Sequence, residues 1–150
     1  MTISTAEFAQ ELHDRGAESV LVRGRPAPAS SIDDVVTFDA GTVAACHGDY
    51  WHLPVYVTTS TADGRTRRRF GTTTFADAID YAEHLLREHT PDGVWLRHHA
   101  RLVDCLCPAT VGMLEARLAR TARAVDATLV TWTGATTPAD DASYDYVVDS

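Results

Sequence analysis

Tyr50-Trp51-His52-Leu53-Pro54-Val55-Tyr56-Val57-Thr58-Thr59-Ser60, then Asp63-Gly64, then Arg65-Thr66-Arg67-Arg68-Arg69-Phe70, is the stretch on which the fold turns. In its first part Trp51, Leu53, Val55 and Val57 are apolar at alternate positions. His52, Tyr56, Thr58 and Ser60 fall on the other side, the period of a half-buried strand. Asp63-Gly64 tolerates the positive φ angles of a two-residue hairpin turn. With those residues as the turn, Ala62 faces Arg65, Thr58 faces Arg69 and Val57 faces Phe70. Phe70 then joins the apolar face, while Arg65, Arg67 and Arg69 line up on the wet one. Same-face neighbours on a strand stand about 7 Å apart, roughly the spacing of successive phosphates in an extended nucleic-acid strand.

A helix follows. Thr74 stands at its cap, with Asp77 three residues on as in a capping box. Phe75, Ala78, Ile79, Ala82 and Leu86 form one stripe, and Asp77, Asp80, Glu83 and Arg87 the outer face. Glu83 and Arg87 can pair at i,i+4 for a few tenths of a kcal/mol. Thr90-Pro91 and Gly93 stop the helix. Packed on the apolar side of the hairpin, the stripe buries Trp51, Leu53, Val55, Val57 and Phe70, a main part of the core at about 25 cal/mol per Å².

On the N-terminal side, Ser4-Thr5-Ala6-Glu7 is a capping box opening a helix to about Arg15, with Gly16 as its stop. Ser19–Arg23 reads as a short buried strand and residues 25–31 as a surface loop. Val35–Phe38 is a further strand, and Gly41–His47 a candidate one. On the C-terminal side, Val94–Leu96 and Ala100–Leu106 read as extended. Pro108 suits the first turn of a second long helix, to about Val125, with Val111, Leu114, Leu118 and Val125 inward and Arg117, Arg120 and Arg123 on a solvent side. Leu129–Thr133 is a final core strand. Residues 134–150 are polar and acidic, a tail or a docked edge strand.

The 150 residues suit one domain with a core of its own, and 45% apolar with 23% charged residues is an ordinary globular balance. No apolar run is long enough to span a membrane, and the N-terminus does not read as a signal peptide, so a small soluble cytoplasmic protein is expected. Three cysteines argue against a disulfide framework. The net charge is −8, and five of the acids fall after Arg123 with no base among them. That balance disfavours generic DNA or anionic-membrane binding but leaves room for a local basic strip. The expected architecture is α+β: a mainly antiparallel sheet of about five or six strands, two long helices packed on one face, residues 1–133 as one domain and 134–150 as tail or edge strand.

Three groups of residues can carry function. Arg65, Arg67 and Arg69 with Tyr56 form a platform suited to phosphates and bases; its bland counterpart is a solvated strand face. Cys46, His47, His52, His98, His99, Cys105 and Cys107 are soft ligands, of which Cys105, Cys107, His98 and His99 would be the zinc set, although their spacing matches no zinc motif. Cys107 before a helix start, with His98 or His99 as base and Asp104 as orienter, would be the nucleophilic arrangement. No Gly-rich phosphate loop, GxSxG or HExxH occurs. The leading expectation is therefore a non-catalytic binding or accessory domain acting through protein contacts or self-association. A nucleic-acid accessory protein using the arginine strip comes second, and a Cys/His enzyme or zinc protein third.

Overall fold

Ser19–Arg23, Gly93–Arg97 and Thr128–Thr133 are buried at consecutive rather than alternate positions, as strands covered on both faces are. In the computed structural model these three lie inside the main sheet. The structure describes residues 19–23, 35–41, 44–46, 50–52, 54–61, 64–71, 74–106, 108–133 and 144–149. The elements in chain order are β1 (Ser19–Arg23), β2 (Val35–Ala40), β3 (Ala44–Cys46), β4 (Tyr50–His52), β5 (Val55–Thr61), β6 (Gly64–Phe70), α1 (Phe75–His89), β7 (Gly93–Arg97), α2 (His99–Cys105), α3 (Pro108–Ala124), β8 (Thr128–Thr133) and β9 (Tyr146–Asp149). The N-terminal helix expected over residues 4–15 and the loop at 25–31 lie outside the described residues.

The main sheet has seven strands in the order β6-β5-β2-β7-β8-β1-β9, and β3 pairs with β4 in a separate ribbon. β5 runs antiparallel to β2 and β6, whereas β2, β7, β8, β1 and β9 are parallel neighbour to neighbour. This corrects the expectation of a mainly antiparallel sheet of five or six strands: the fold is α+β with a mixed sheet, parallel throughout its second half. Only the hairpin half is antiparallel. The short β5–β6 connection imposes antiparallel pairing there, while α2 and α3 between β7 and β8 give the length that a parallel crossover needs. Of the three described helices only α1 and α3 are long.

Two further expectations change. Ala100–Leu106 does not run extended; His99–Cys105 is helical, and the Leu106 N–H donates to the Leu102 carbonyl at 2.8 Å. Leu102 and Leu106 are i,i+4 neighbours as well as alternate residues, and burial of Leu102 in the helix-side core selects the helical period. Tyr50–Ser60 is not one strand either. Pro54 divides it, having no N–H to give a ladder, and its carbonyl instead accepts the Gly41 N–H at 2.8 Å.

The hairpin register is displaced by two residues from the expected one: Val55 faces Phe70, Thr58 faces Arg67 and Thr61 faces Gly64. Gly64 has φ +140, open to glycine alone. A two-residue shift keeps every side chain on its face, so the arginine row survives; a one-residue slip would have inverted it.

The three described helices share one face. Leu21, Val36, Phe38, Val57, Val94, Leu96 and Leu129 meet Ala78, Ile79, Ala82, Leu86, Leu102, Leu114 and Leu118 there. The other face buries Val20, Val22, Val35, Trp95, Val130 and Trp132, with the two indoles edge to face at 5.6 Å. Glu83 and Arg117, both expected on outer faces, lie between α1 and α3 instead: Glu83 is 3% exposed and takes Arg117 and the Thr121 hydroxyl as partners. Arg120 and Arg123 are exposed as expected. The end of the chain contributes an edge strand, with Val20 to Arg23 paired to Tyr146 to Asp149.

Candidate functional site

Residues paired across neighbouring strands point the same way, so the register defines rows over the sheet face that turns away from the helices. One row reads Arg69, Tyr56, Asp39, Arg97, and the next Arg67, Thr58, Thr37, Trp95. Six of the seven β6 residues, Gly64 to Arg69, are exposed. The Arg67 guanidinium carbon lies 3.8 Å from the centroid of the Tyr56 ring, a face-on cation–π contact. Arg68 points to the helix side and sits 5.0 Å from Phe70 and 4.9 Å from Tyr81. The row of Arg65, Arg67 and Arg69 beside Tyr56 is thus present as the alternation implied. The side chain of His52, which would have joined it, lies outside the described residues.

The same rows lead to a second cluster at the carboxyl ends of β2 and β7. Asp39 is the charged residue of β2 and lies one place from its carboxyl end. Strand pairing sets it beside Arg97, whose Nη1 is 3.6 Å from Asp39 Oδ2. His98, the residue after β7 and the cap of α2, has φ 56 and ψ 41, a left-handed conformation uncommon outside glycine. That turn brings its ring to Asp39, and Nδ1 donates to Oδ1. A carboxylate only accepts, so the proton of this contact belongs to Nδ1. The His98 side chain is 32% exposed. Arg97 is 9% exposed, and its Nε–H is buried with no partner among the described residues. Arg101 Nη1 closes the edge of the cluster by donating to the Ala40 carbonyl at 2.9 Å.

His99 turns the other way. It is buried, donates from Nε2 to Glu115 on α3, and has the Thr133 hydroxyl 3.3 Å from Nδ1. The histidine pair singled out in the sequence therefore divides between two carboxylates, Asp39 and Glu115. Asp39 lies 59 residues from His98 and Glu115 lies 16 from His99. Asp39 was missed because only strand pairing makes it His98's neighbour. The available signal was an acid at the alternate-position end of Val35–Ala40.

The side chains of Asp104 and Cys105, and the whole of Cys107, lie outside the described residues, as do His47 and the side chain of Cys46. Among the described residues no three His, Cys, Asp or Glu side chains converge as metal ligands, and no described helix is long and apolar enough to cross a membrane.

On the helix side, the far end of the β5–β6 hairpin and α1 enclose an open groove of about 530 Å³. Tyr81 and Leu85 supply apolar surface, Thr59 and Thr66 line the strand side, and His84 and Glu88 pair at 2.7 Å along the helix side. The chain matches no protein-family model, and comparison with curated proteins and with solved structures finds no similar chain.

Proposed function

We propose that this protein binds single-stranded nucleic acid across the β5–β6 face, with Arg65, Arg67 and Arg69 meeting phosphates and Tyr56 offering a stacking surface. The observation that carries the reading is the Arg67–Tyr56 stack inside an exposed row of arginines. Backbone-tracking sites for single strands pair basic side chains with aromatic rings in this way, and a base–aromatic stack contributes roughly 1–3 kcal/mol. The net charge of −8 opposes encounter at low salt but does not cancel a strip that sets three of the thirteen basic residues on one face within five positions.

Fluorescence anisotropy with a labelled oligonucleotide tests it. Three phosphate contacts to a single strand predict a slope of log affinity against log salt of about −2. The triple variant Arg65→Ala, Arg67→Ala, Arg69→Ala should bind more weakly with a flattened slope. Unchanged affinity and slope would remove the strip from the account.

A second reading, protein contact or self-association, is favoured by the sheet edges. β6 and β9 are the outermost strands of the seven, and Tyr146 on β9 is an exposed aromatic. Arginines on β6 discourage edge pairing there, so β9 is the edge this reading uses. A monodisperse monomer at high concentration that retains no partner would count against it. Both readings are of a cytoplasmic protein.

A further inference from the structure

We propose that Asp39 and His98 form an acid–base pair that cleaves RNA lying across this sheet face, by turning a ribose 2′-hydroxyl onto the neighbouring phosphate. The substrate class rests on the nucleic-acid reading above; the base itself rests on the geometry of the cluster. Asp39 accepts a hydrogen bond from His98 Nδ1–H, and holding the proton there leaves the lone pair of the neutral ring on Nε2. The ring is one-third exposed, whereas its buried neighbour His99 is fully used by Glu115 and Thr133. A non-glycine residue is held in the left-handed region to make the contact, a conformation that costs free energy and clusters at working sites. The pair stands outside the carboxyl ends of parallel strands β2 and β7, where open sheets of this kind receive ligands.

Two observations connect it to a phosphate polymer. Asp39 and Arg97 continue the row of Arg69 and Tyr56, so a chain seated on β6 reaches the pair within about 10 Å, two strand spacings. Arg97 adds a positive group beside the pair, its Nη1 3.6 Å from Asp39 Oδ2, and its Nε–H has no partner among the described residues.

The step balances without any oxidant or reductant. His98 Nε2 takes the 2′-hydroxyl proton, the 2′-oxygen bonds to the adjacent phosphorus, and the P–O5′ bond breaks. The departing O5′ takes a proton from water, and His98 returns its own to the hydroxide left behind. One fragment ends in a 2′,3′-cyclic phosphate and the other in a 5′-hydroxyl. Arg97 faces the charge that gathers on the phosphate. Asp39 is a positioning residue, acting through His98.

The full chain is incubated with a fluorescent RNA oligonucleotide in EDTA, binding is read by anisotropy and cleavage by gel, and the product ends are identified by mass. The DNA of the same sequence, which lacks the 2′-hydroxyl, is run beside it. The expected result is RNA cut to cyclic-phosphate ends and DNA bound but intact. His98→Gln should lose about 100-fold or more in rate while keeping RNA affinity and an unchanged melting temperature. Asp39→Asn should lower kcat and leave KM in place, a split that a purely structural role would not produce. RNA bound but uncut by the wild type overturns the catalytic proposal alone. Cleavage unchanged in His98→Gln, or ends other than the cyclic phosphate, also overturns it. Neither binding nor cleavage overturns the nucleic-acid reading as well.

Discussion

His98 and His99 are adjacent in sequence and opposite in role. His98 reaches back to Asp39 near the carboxyl end of β2, while His99 is enclosed between Glu115 and Thr133. Both histidines stood out in the sequence, but their carboxylates did not, because neither partner lies within the local window that spacing arguments can search. Burial decides the energetics of the second pair. His99 is 1% exposed and Glu115 8%, so removing one member strands the other away from water. Glu115→Ala should therefore lower unfolding stability by about 3 kcal/mol or more, and joint replacement of His99 and Glu115 by leucine should cost less than the two single changes added together. Urea denaturation measures both. A loss below about 1 kcal/mol for Glu115→Ala would show that the pair is not buried as described.

Helices α1 and α3 were the most legible elements, because a 3.6-residue period sustained over four turns is hard to mistake for anything else. Their buried stripes match: Ala78, Ile79, Ala82 and Leu86 on one, Val111, Leu114 and Leu118 on the other. What periodicity does not reveal is which charged residue the second helix will cover. Glu83 looks like an i,i+4 partner of Arg87, yet Arg87 Nη2 lies 3.8 Å away and mostly exposed, whereas Arg117 and Thr121 of α3 hold the carboxylate directly. Hydrogen bonding to Asp80 raises the Arg117 pKa above its ordinary value, burial opposes the shift, and Glu83 adds to it. The two acids differ in worth because they differ in exposure. Glu83→Ala should cost roughly 3 kcal/mol by leaving Arg117 and Thr121 without their buried acceptor. Asp80→Ala, at a side chain 66% exposed, should cost less than about 1 kcal/mol. Thermal melts of the two variants separate these outcomes, and equal losses would contradict the assignment of Glu83 as the clamp between the helices.

At the scale of the whole molecule, the antiparallel half of the sheet was readable and the parallel half was not. A hairpin announces itself through alternation and a nearby turn signal, although Gly64 pairs with Thr61 inside β6 rather than forming the turn with Asp63, whereas Ser19–Arg23, Gly93–Arg97 and Thr128–Thr133 announce only that they are buried. Their order, β7 beside β8 and β8 beside β1, joins segments more than a hundred residues apart in Ser19 and Leu129. No local signal carries that pairing. The junction of the two halves matters most for function. β2 is antiparallel to β5 on one side and parallel to β7 on the other, so it carries the exposed arginine row of the hairpin up to the carboxyl ends of the parallel strands. Tyr56, Asp39 and Arg97 lie on that line, and the Arg67–Tyr56 stack marks where it opens to solvent. The most direct measurement is an amide ¹H–¹⁵N correlation spectrum of the labelled protein, titrated with a short single-stranded DNA oligonucleotide. The account predicts shifts at Tyr56 and Arg65 to Arg69 that extend along the row to Asp39, Arg97 and His98. Shifts confined to the groove beside Thr59, His84 and Leu85, or none at saturating oligonucleotide, would contradict it.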